Sequence, residues 1–157
     1  MKNLPEKVRT IIKENLWLVL STIDKDNIPY SSVLVYQSDG NIIICQTGEK
    51  TLKANNIRNN RHIAVTIPIR KNFFHKLIPA PPAEIHFTTD AEILAKDNDE
   101  ARIIFSKYLK HTEKANLPQD YIWIKIRIPN KVTTYGVGVP LFKMRNPIVA
   151  RKVIQLN

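Results

Sequence analysis

The sequence is poor in the residues that build the commonest functional signatures. It has one cysteine, four glycines and two methionines in 157 residues. A single cysteine forms no internal disulfide, which suits a reducing compartment. Four glycines leave no room for a glycine-rich phosphate loop: Gly136-Val137-Gly138 is a two-glycine fragment, and neither a dinucleotide fingerprint nor a Walker loop occurs. His62, His75, His86 and His111 are scattered without ligand spacing, so no metal site is expected. Cys45 follows an apolar run and reads as a core thiol, not a nucleophile. Apolar runs stay far short of the ~20 residues that a membrane span needs. Lys2, Pro5, Glu6 and Lys7 interrupt any signal-peptide core after Met1. A cytoplasmic protein is the expectation, with no membrane partner.

Acid is also scarce where base is not. From Tyr121 onward there is no Asp or Glu, while Lys125, Arg127, Lys131, Lys143, Arg145, Arg151 and Lys152 are all cationic. The whole chain carries a formal net charge of +10. Such a field attracts anions, whether nucleic acid, acidic lipid or phosphorylated small molecules.

What is present is a series of short alternating strands. Residues 16–23, 28–36, 42–46, 62–69, 85–94, 121–128 and 132–135 have the apolar or period-two patterning of strands. Ile28, Tyr30, Ser32, Leu34 and Tyr36 share one face of the second, and Ile122, Ile124, Ile126 and Ile128 one face of the sixth. Trp123 then faces the other way with Lys125 and Arg127, on a solvated or interfacial side. Asp24 to Asn27 and Ser38 to Asn41 are turn signals, so the first three strands form an antiparallel meander. Leu4, Val8, Ile11 and Ile12 mark one face of an opening helix. Residues 49–58 form a short helix capped by Thr47 or Gly48. Asp97 and Glu100 form a capping pair for a helix with Ala101, Ile104, Phe105, Tyr108 and Leu109 on its apolar face. Residues 70–83, with Pro79, Pro81 and Pro82, read as an extended loop. The fold expected is mainly β (α+β), a six-stranded antiparallel barrel with short flanking helices, in one domain over residues 1–157.

The stretch "CQTGEKTLKANNIRNN", residues 45–60, is the chemical candidate. A helix start beside a hydroxyl and a lysine offers backbone donors, a favourable dipole end and a positive charge to a phosphate. Lys50, Lys53, Arg58 and Arg61 stand against the single Glu49. A solvated helix face is the plainer reading, and spacing alone does not displace it.

The ordered set Ser21-Thr22, Pro29, Asp39-Gly40, Thr47, Thr51-Leu52-Lys53 and Asn56 to Asn60 resembles the pyridoxamine 5′-phosphate oxidase-like family, the FMN-binding split β-barrels. "IWIKIRIPNKVTTYG" resembles that family's closing strands. The resemblance implies a flavin-dependent oxidoreductase and a homodimer, with the cofactor in clefts at the subunit interface. It assigns Thr51 and Lys53 to the FMN phosphate, and Thr47 with Ser32, Val33, Leu34 and Val35 to the isoalloxazine, partly through backbone groups. No catalytic side chain follows from it, and the substrate stays open. This sequence departs from the family pattern in several places. Threonine replaces the usual serine at 51, and Arg61 stands where proline is common. The 70–83 loop is longer than the minimal family pattern. The C-terminal Arg-x-His motif of true pyridoxamine phosphate oxidases is absent, so vitamin B6 oxidation is not implied. A deazaflavin-dependent reductase of the same fold is the first alternative. The second is a non-catalytic basic module for nucleic acid, resting on "YIWIKIR", although no nucleic-acid partner is expected.

Overall fold

The structure, a computed structural model, describes residues 3–69, 82–112 and 120–156. In chain order its elements are α1 (Leu4–Glu14), β1 (Trp17–Ile23), β2 (Pro29–Ser38), β3 (Ile42–Gly48), α2 (Leu52–Asn59), β4 (His62–Ile69), β5 (Ala83–Leu94), α3 (Asp99–Thr112), β6 (Tyr121–Arg127), β7 (Lys131–Tyr135), α4 (Pro147–Ala150) and β8 (Arg151–Gln155). The loop expected over residues 70–83 lies mostly outside the described residues, and its last residue, Ala83, opens β5.

Six strands close on themselves in the order β1-β2-β3-β6-β5-β4, and every pairing is antiparallel. The expected six-stranded barrel is present. A hairpin of β7 and β8 extends from the outer edge of β5, with Glu84 to His86 opposite Tyr135 to Thr133. The sequence reading had no β8. Its alternation is short, and Val153 is its one exposed apolar residue.

The barrel interior is filled from alternate positions, as a period of two requires. Leu18 and Leu20 of β1, Ile43 and Cys45 of β3, Ile63, Val65 and Ile67 of β4, Ile85 and Phe87 of β5, and Ile124 and Ile126 of β6 form one cluster. α1 closes one end with Val8 and Ile12, and its capping box of Asn3 and Glu6 satisfies the first turn. The Tyr36 hydroxyl, buried in the same cluster, donates to Ile12 O at 2.8 Å. Arg9, on the flank of that face of α1, donates to Gly40 O at 2.9 Å, to Asn41 Oδ1 at 2.8 Å and to Leu156 O.

α3 covers the outside of β2, β3 and β6, and here one expectation is overturned. Trp123 is neither solvated nor interfacial but fully buried, its ring 5.1 Å from that of Phe105 and tilted by 54°, with its indole N–H donating to Lys96 O. Strict alternation makes such a strand look half-solvated, whereas β6 is covered on both faces: isoleucines inside the barrel, Trp123 beneath the helix. Lys125 on that face pairs with Glu100 of α3. The cap of α3 is Asn98, whose Oδ1 accepts from Ala101 N at 3.0 Å, and not the Asp97–Glu100 pair. Ala101 and Phe105 are buried as expected, with Ile104 and Tyr108 packed around them; the Leu109 side chain lies outside the described residues.

Candidate functional site

The barrel is split on one side. β2 pairs β1 along its length from Pro29 to Val35, but pairs β3 only through Tyr36, Gln37 and Ser38. The Tyr36 N–H points to Leu16 O. By alternation, the N–H and C=O of Ser31 and Val33 point the other way, towards β3, where no strand meets them. An opening therefore lies between the first half of β2 and residues Gln46 to Gly48 of β3. Unpaired main-chain groups along a strand are an unusual feature in a closed barrel and invite an external partner.

The start of α2 stands at the end of β3, next to this opening. Its cap is Thr51, not Thr47 or Gly48, and the helix begins three residues later than the sequence suggested. Thr51 Oγ1 donates to Gly48 O at 2.9 Å and accepts from Ala54 N at 3.4 Å, and lies 3.2 Å from Thr47 Oγ1. These three contacts occupy the hydroxyl. The anion-binding capacity of the turn consequently rests on the Leu52 and Lys53 N–H groups, which have no acceptor among the described residues, and on the Lys53 ammonium. Lys53 is partly buried and makes no ion pair with the described residues. Arg58 is committed elsewhere: it donates to Glu49 O at 2.9 Å and Asn55 Oδ1 at 3.0 Å, and lies 3.8 Å from the Glu49 carboxylate. A second fixed point is Asn56, buried on the inner face of α2, whose amide donates to Thr22 Oγ1 at 3.1 Å and locks the helix to β1.

The structure brings the Thr47 and Thr51 hydroxyls together and sets Lys53 in the first turn that Thr51 caps, but it divides the four β2 candidates. Ser32 and Leu34 pair with the buried Leu20 and Leu18 and share their inward face. Val33 and Val35 face outward, and Val35 packs beneath α3. A strand cannot present four successive side chains to one ligand, so only the backbone of this stretch is continuous along the opening. Sequence reasoning also missed Gln46, whose Nε2 is buried without a hydrogen-bond partner among the described residues. Its position one residue before Thr47 was the available signal.

Outside the barrel, one row of aligned residues crosses six strands: Val33, Val19, Thr66, His86, Thr133 and Val153. Both ends of the row are apolar and open, with Val33 63% and Val153 58% exposed; Trp17 beside it is half exposed. Two concavities indent this face. One of about 680 Å³ runs past Ser21, Pro29, Ala64 and Thr88 to the His62–Asp90 pair, whose Nδ1 and Oδ1 are 2.5 Å apart. The other, of about 450 Å³, lies against Trp17, Val33 and Pro68. Neither is lined by Thr47, Thr51 or Lys53. Among the described residues no group of three or more His, Cys, Asp or Glu is gathered as a metal site, and no helix is long and apolar enough to cross a membrane.

Comparison with known proteins agrees with this architecture. A family profile for pyridoxamine 5′-phosphate oxidase matches residues 4–130. No curated protein matches the chain significantly. Among solved structures, General Stress Protein 26 from Bacillus anthracis is similar over 99% of this chain and 100% of its own, at 21% identity and a TM-score of 0.65. A heme binding protein from Mycobacterium smegmatis is similar over 99% of this chain, at 14% identity and a TM-score of 0.71, and this chain spans 59% of its length. An F420 reductase is similar over 76% of this chain and 90% of its own, at 18% identity and a TM-score of 0.54.

Proposed function

The chain belongs to the pyridoxamine 5′-phosphate oxidase family, and from that premise we propose that it is a flavin-binding oxidoreductase. It holds FMN along the split between β2 and β3, in a cleft completed by a second copy of the chain. The observation that carries this reading is the opening itself. Main-chain donors and acceptors of Ser31 and Val33 stand unpaired beside a helix start whose first N–H groups are also unclaimed.

The residues present suit the group. A ring rich in carbonyl and N–H functions matches the open edge of β2, and a phosphate matches the Leu52 and Lys53 N–H groups together with the charge of Lys53. Thr51 gives its hydroxyl proton to Gly48 O and holds that turn in shape, so it is not assigned to the phosphate, a narrower role than the resemblance implied. Val33 gives the ring an apolar neighbour. Bound flavin supplies the two-electron chemistry, and the chain binds and orients it and excludes water. No side chain is assigned to proton transfer, and vitamin B6 oxidation is not proposed.

The homodimer in this reading is supported by the outer row. Val33, Trp17 and Val153 leave apolar surface open on a broad sheet face, and such faces are normally covered. The cleft beside Val33 then has a wall from each copy. A deazaflavin with a long anionic tail is the second reading, supported by the acid-free basic stretch after Tyr121. Burial of Trp123 takes that ring out of the nucleic-acid alternative, since stacking on bases needs an accessible ring.

The test is a titration of FMN and riboflavin against the wild type, Lys53→Ala and Arg58→Ala. Loss of a charge-assisted hydrogen bond is worth roughly 1.5–3 kcal/mol, so Lys53→Ala weakens FMN about ten- to a hundredfold. Riboflavin, lacking the phosphate, binds both proteins alike, and Arg58→Ala changes little because that side chain is held by Glu49 and Asn55. Equal losses of both ligands in Lys53→Ala would return the segment to a plain helix face. The spectrum of any pigment that co-purifies separates flavin, deazaflavin and heme directly.

A further inference from the structure

The segment between β7 and β8, residues 136–150, forms a compact tip at the end of their hairpin. Gly136 N donates to Ala150 O at 2.9 Å across its neck, and the Tyr135 hydroxyl donates to Met144 O at 2.6 Å. Met144 and Val139 are buried against Ala83, which anchors the tip to the start of β5. Gly136 has φ 69°, and a Cβ there would fall 2.2 Å from Met144 Cε, so the close packing depends on glycine. The tip is therefore a shaped feature with a core of its own.

Its outward side is unusual. Phe142 is 71% exposed, Ile148 89% and Val149 41%. Lys143, Arg145 and Arg151 are exposed between and beside them, and the Lys143 Nζ lies 6.0 Å from the Phe142 ring centroid. No acid occurs in the sequence from Tyr121 onward; Glu84, opposite Tyr135 in the register, is half-buried and 3.6 Å from His86. None of these apolar residues lines either of the two concavities described above. They project from the end of a hairpin.

We propose that this tip is a docking surface for an anionic lipid bilayer. Phe142, Ile148 and Val149 enter the boundary between headgroups and acyl chains, and Lys143, Arg145 and Arg151 lie on the headgroup phosphates. A projecting apolar tip ringed by cations fits that interface, because apolar burial and attraction to anionic headgroups act together there. It fits nucleic acid less well, since large aliphatic side chains gain nothing from a phosphate backbone. A twofold contact of the tip with its own copy would bring like charges together. The attachment is peripheral and independent of cofactor binding at the split.

The experiment is sedimentation of the purified protein with vesicles of phosphatidylcholine alone and of equal parts phosphatidylcholine and phosphatidylserine. The wild type binds the mixed vesicles, binds the neutral ones weakly and loses affinity with salt. Phe142→Ser with Ile148→Ser lowers affinity for the mixed vesicles by about tenfold or more, given what burying each side chain contributes. Ile103→Ser, which removes a side chain 72% exposed on α3, leaves it unchanged. Both variants keep the wild-type melting temperature, because the side chains are exposed. Vesicle binding that ignores the double substitution would overturn the proposal. So would a double variant that dissociates into monomers, which would make the tip a subunit interface, or preferential binding of a DNA duplex over the mixed vesicles.

Discussion

The hydroxyls of Thr47 and Thr51 lie 3.2 Å apart, joining the end of β3 to the cap of α2. Thr51 also holds Gly48 O and Ala54 N, so a single oxygen organises the turn that bears Lys53. Thr51→Ala removes the cap and costs about 1 kcal/mol of stability. FMN affinity falls with it, because the turn is no longer held, whereas Thr51→Ser retains both. Denaturant melts and FMN titrations on the two variants check this.

The outer row predicts assembly. Val33→Asp places a charge at the centre of the proposed subunit contact while leaving the barrel interior untouched. The expected outcome is a folded monomer with weakened cofactor binding, seen by sedimentation velocity with and without FMN. A variant that stays dimeric would place the contact elsewhere on the surface.

Trp123→Ala should cost about 3–5 kcal/mol, the range for removing a large aromatic from a packed site. It loses contacts with Phe105 and Tyr121 and the hydrogen bond to Lys96 O. A substitution of only marginal effect in urea unfolding would mean that α3 is loosely attached.

Alkaline pH gives a fourth test. Burial pushes the Cys45 thiol well above its ordinary value of 9.0, and burial, with a smaller contribution from Cys45, pushes the Tyr36 phenol well above 10.0. The folded protein keeps both protons where the unfolded chain has released them, so the native state binds more protons. That stability is fully present below about pH 9 and declines above it, by up to about 1.4 kcal/mol per pH unit for each group. Unfolding midpoints measured from neutral to strongly alkaline pH should fall accordingly, and Cys45→Ala should flatten the first part of the decline. The native thiol should also resist alkylation.

How far the sequence could be read depended on which force set each feature. Strand alternation and turn chemistry are local, so β4 was located to the residue, the first meander was correctly ordered and the barrel followed. The inward set Leu18, Leu20, Ile124 and Ile126 is visible as a period of two. Caps were read less well, because Thr47, Gly48 and Thr51 are equally good candidates until the end of β3 is known. Trp123 was misjudged because a helix distant in sequence covers it. The unpaired edge at Ser31 and Val33 has no local signature at all. It arises where β2 and β3 part after Tyr36, a relation between strands that no single stretch encodes. Thr47, Thr51 and Lys53 came from an ordered resemblance, and the structure joins the two threonine hydroxyls at the turn that bears Lys53.

Arg9 has a consequence for how the chain is made. Its guanidinium is held by Gly40 and Asn41 on one side and by Leu156 on the other, a partner 147 residues away. At ribosomal speeds these residues emerge on the order of ten seconds apart. During that interval α1 can settle against the first hairpin through Ile12 and Tyr36, while half of the Arg9 binding site does not yet exist. The early meander can therefore form during synthesis, and β8, with Leu156 after it, closes later over a preformed helix. Truncation just before Leu156 should leave a nascent-like chain that collapses but does not lock.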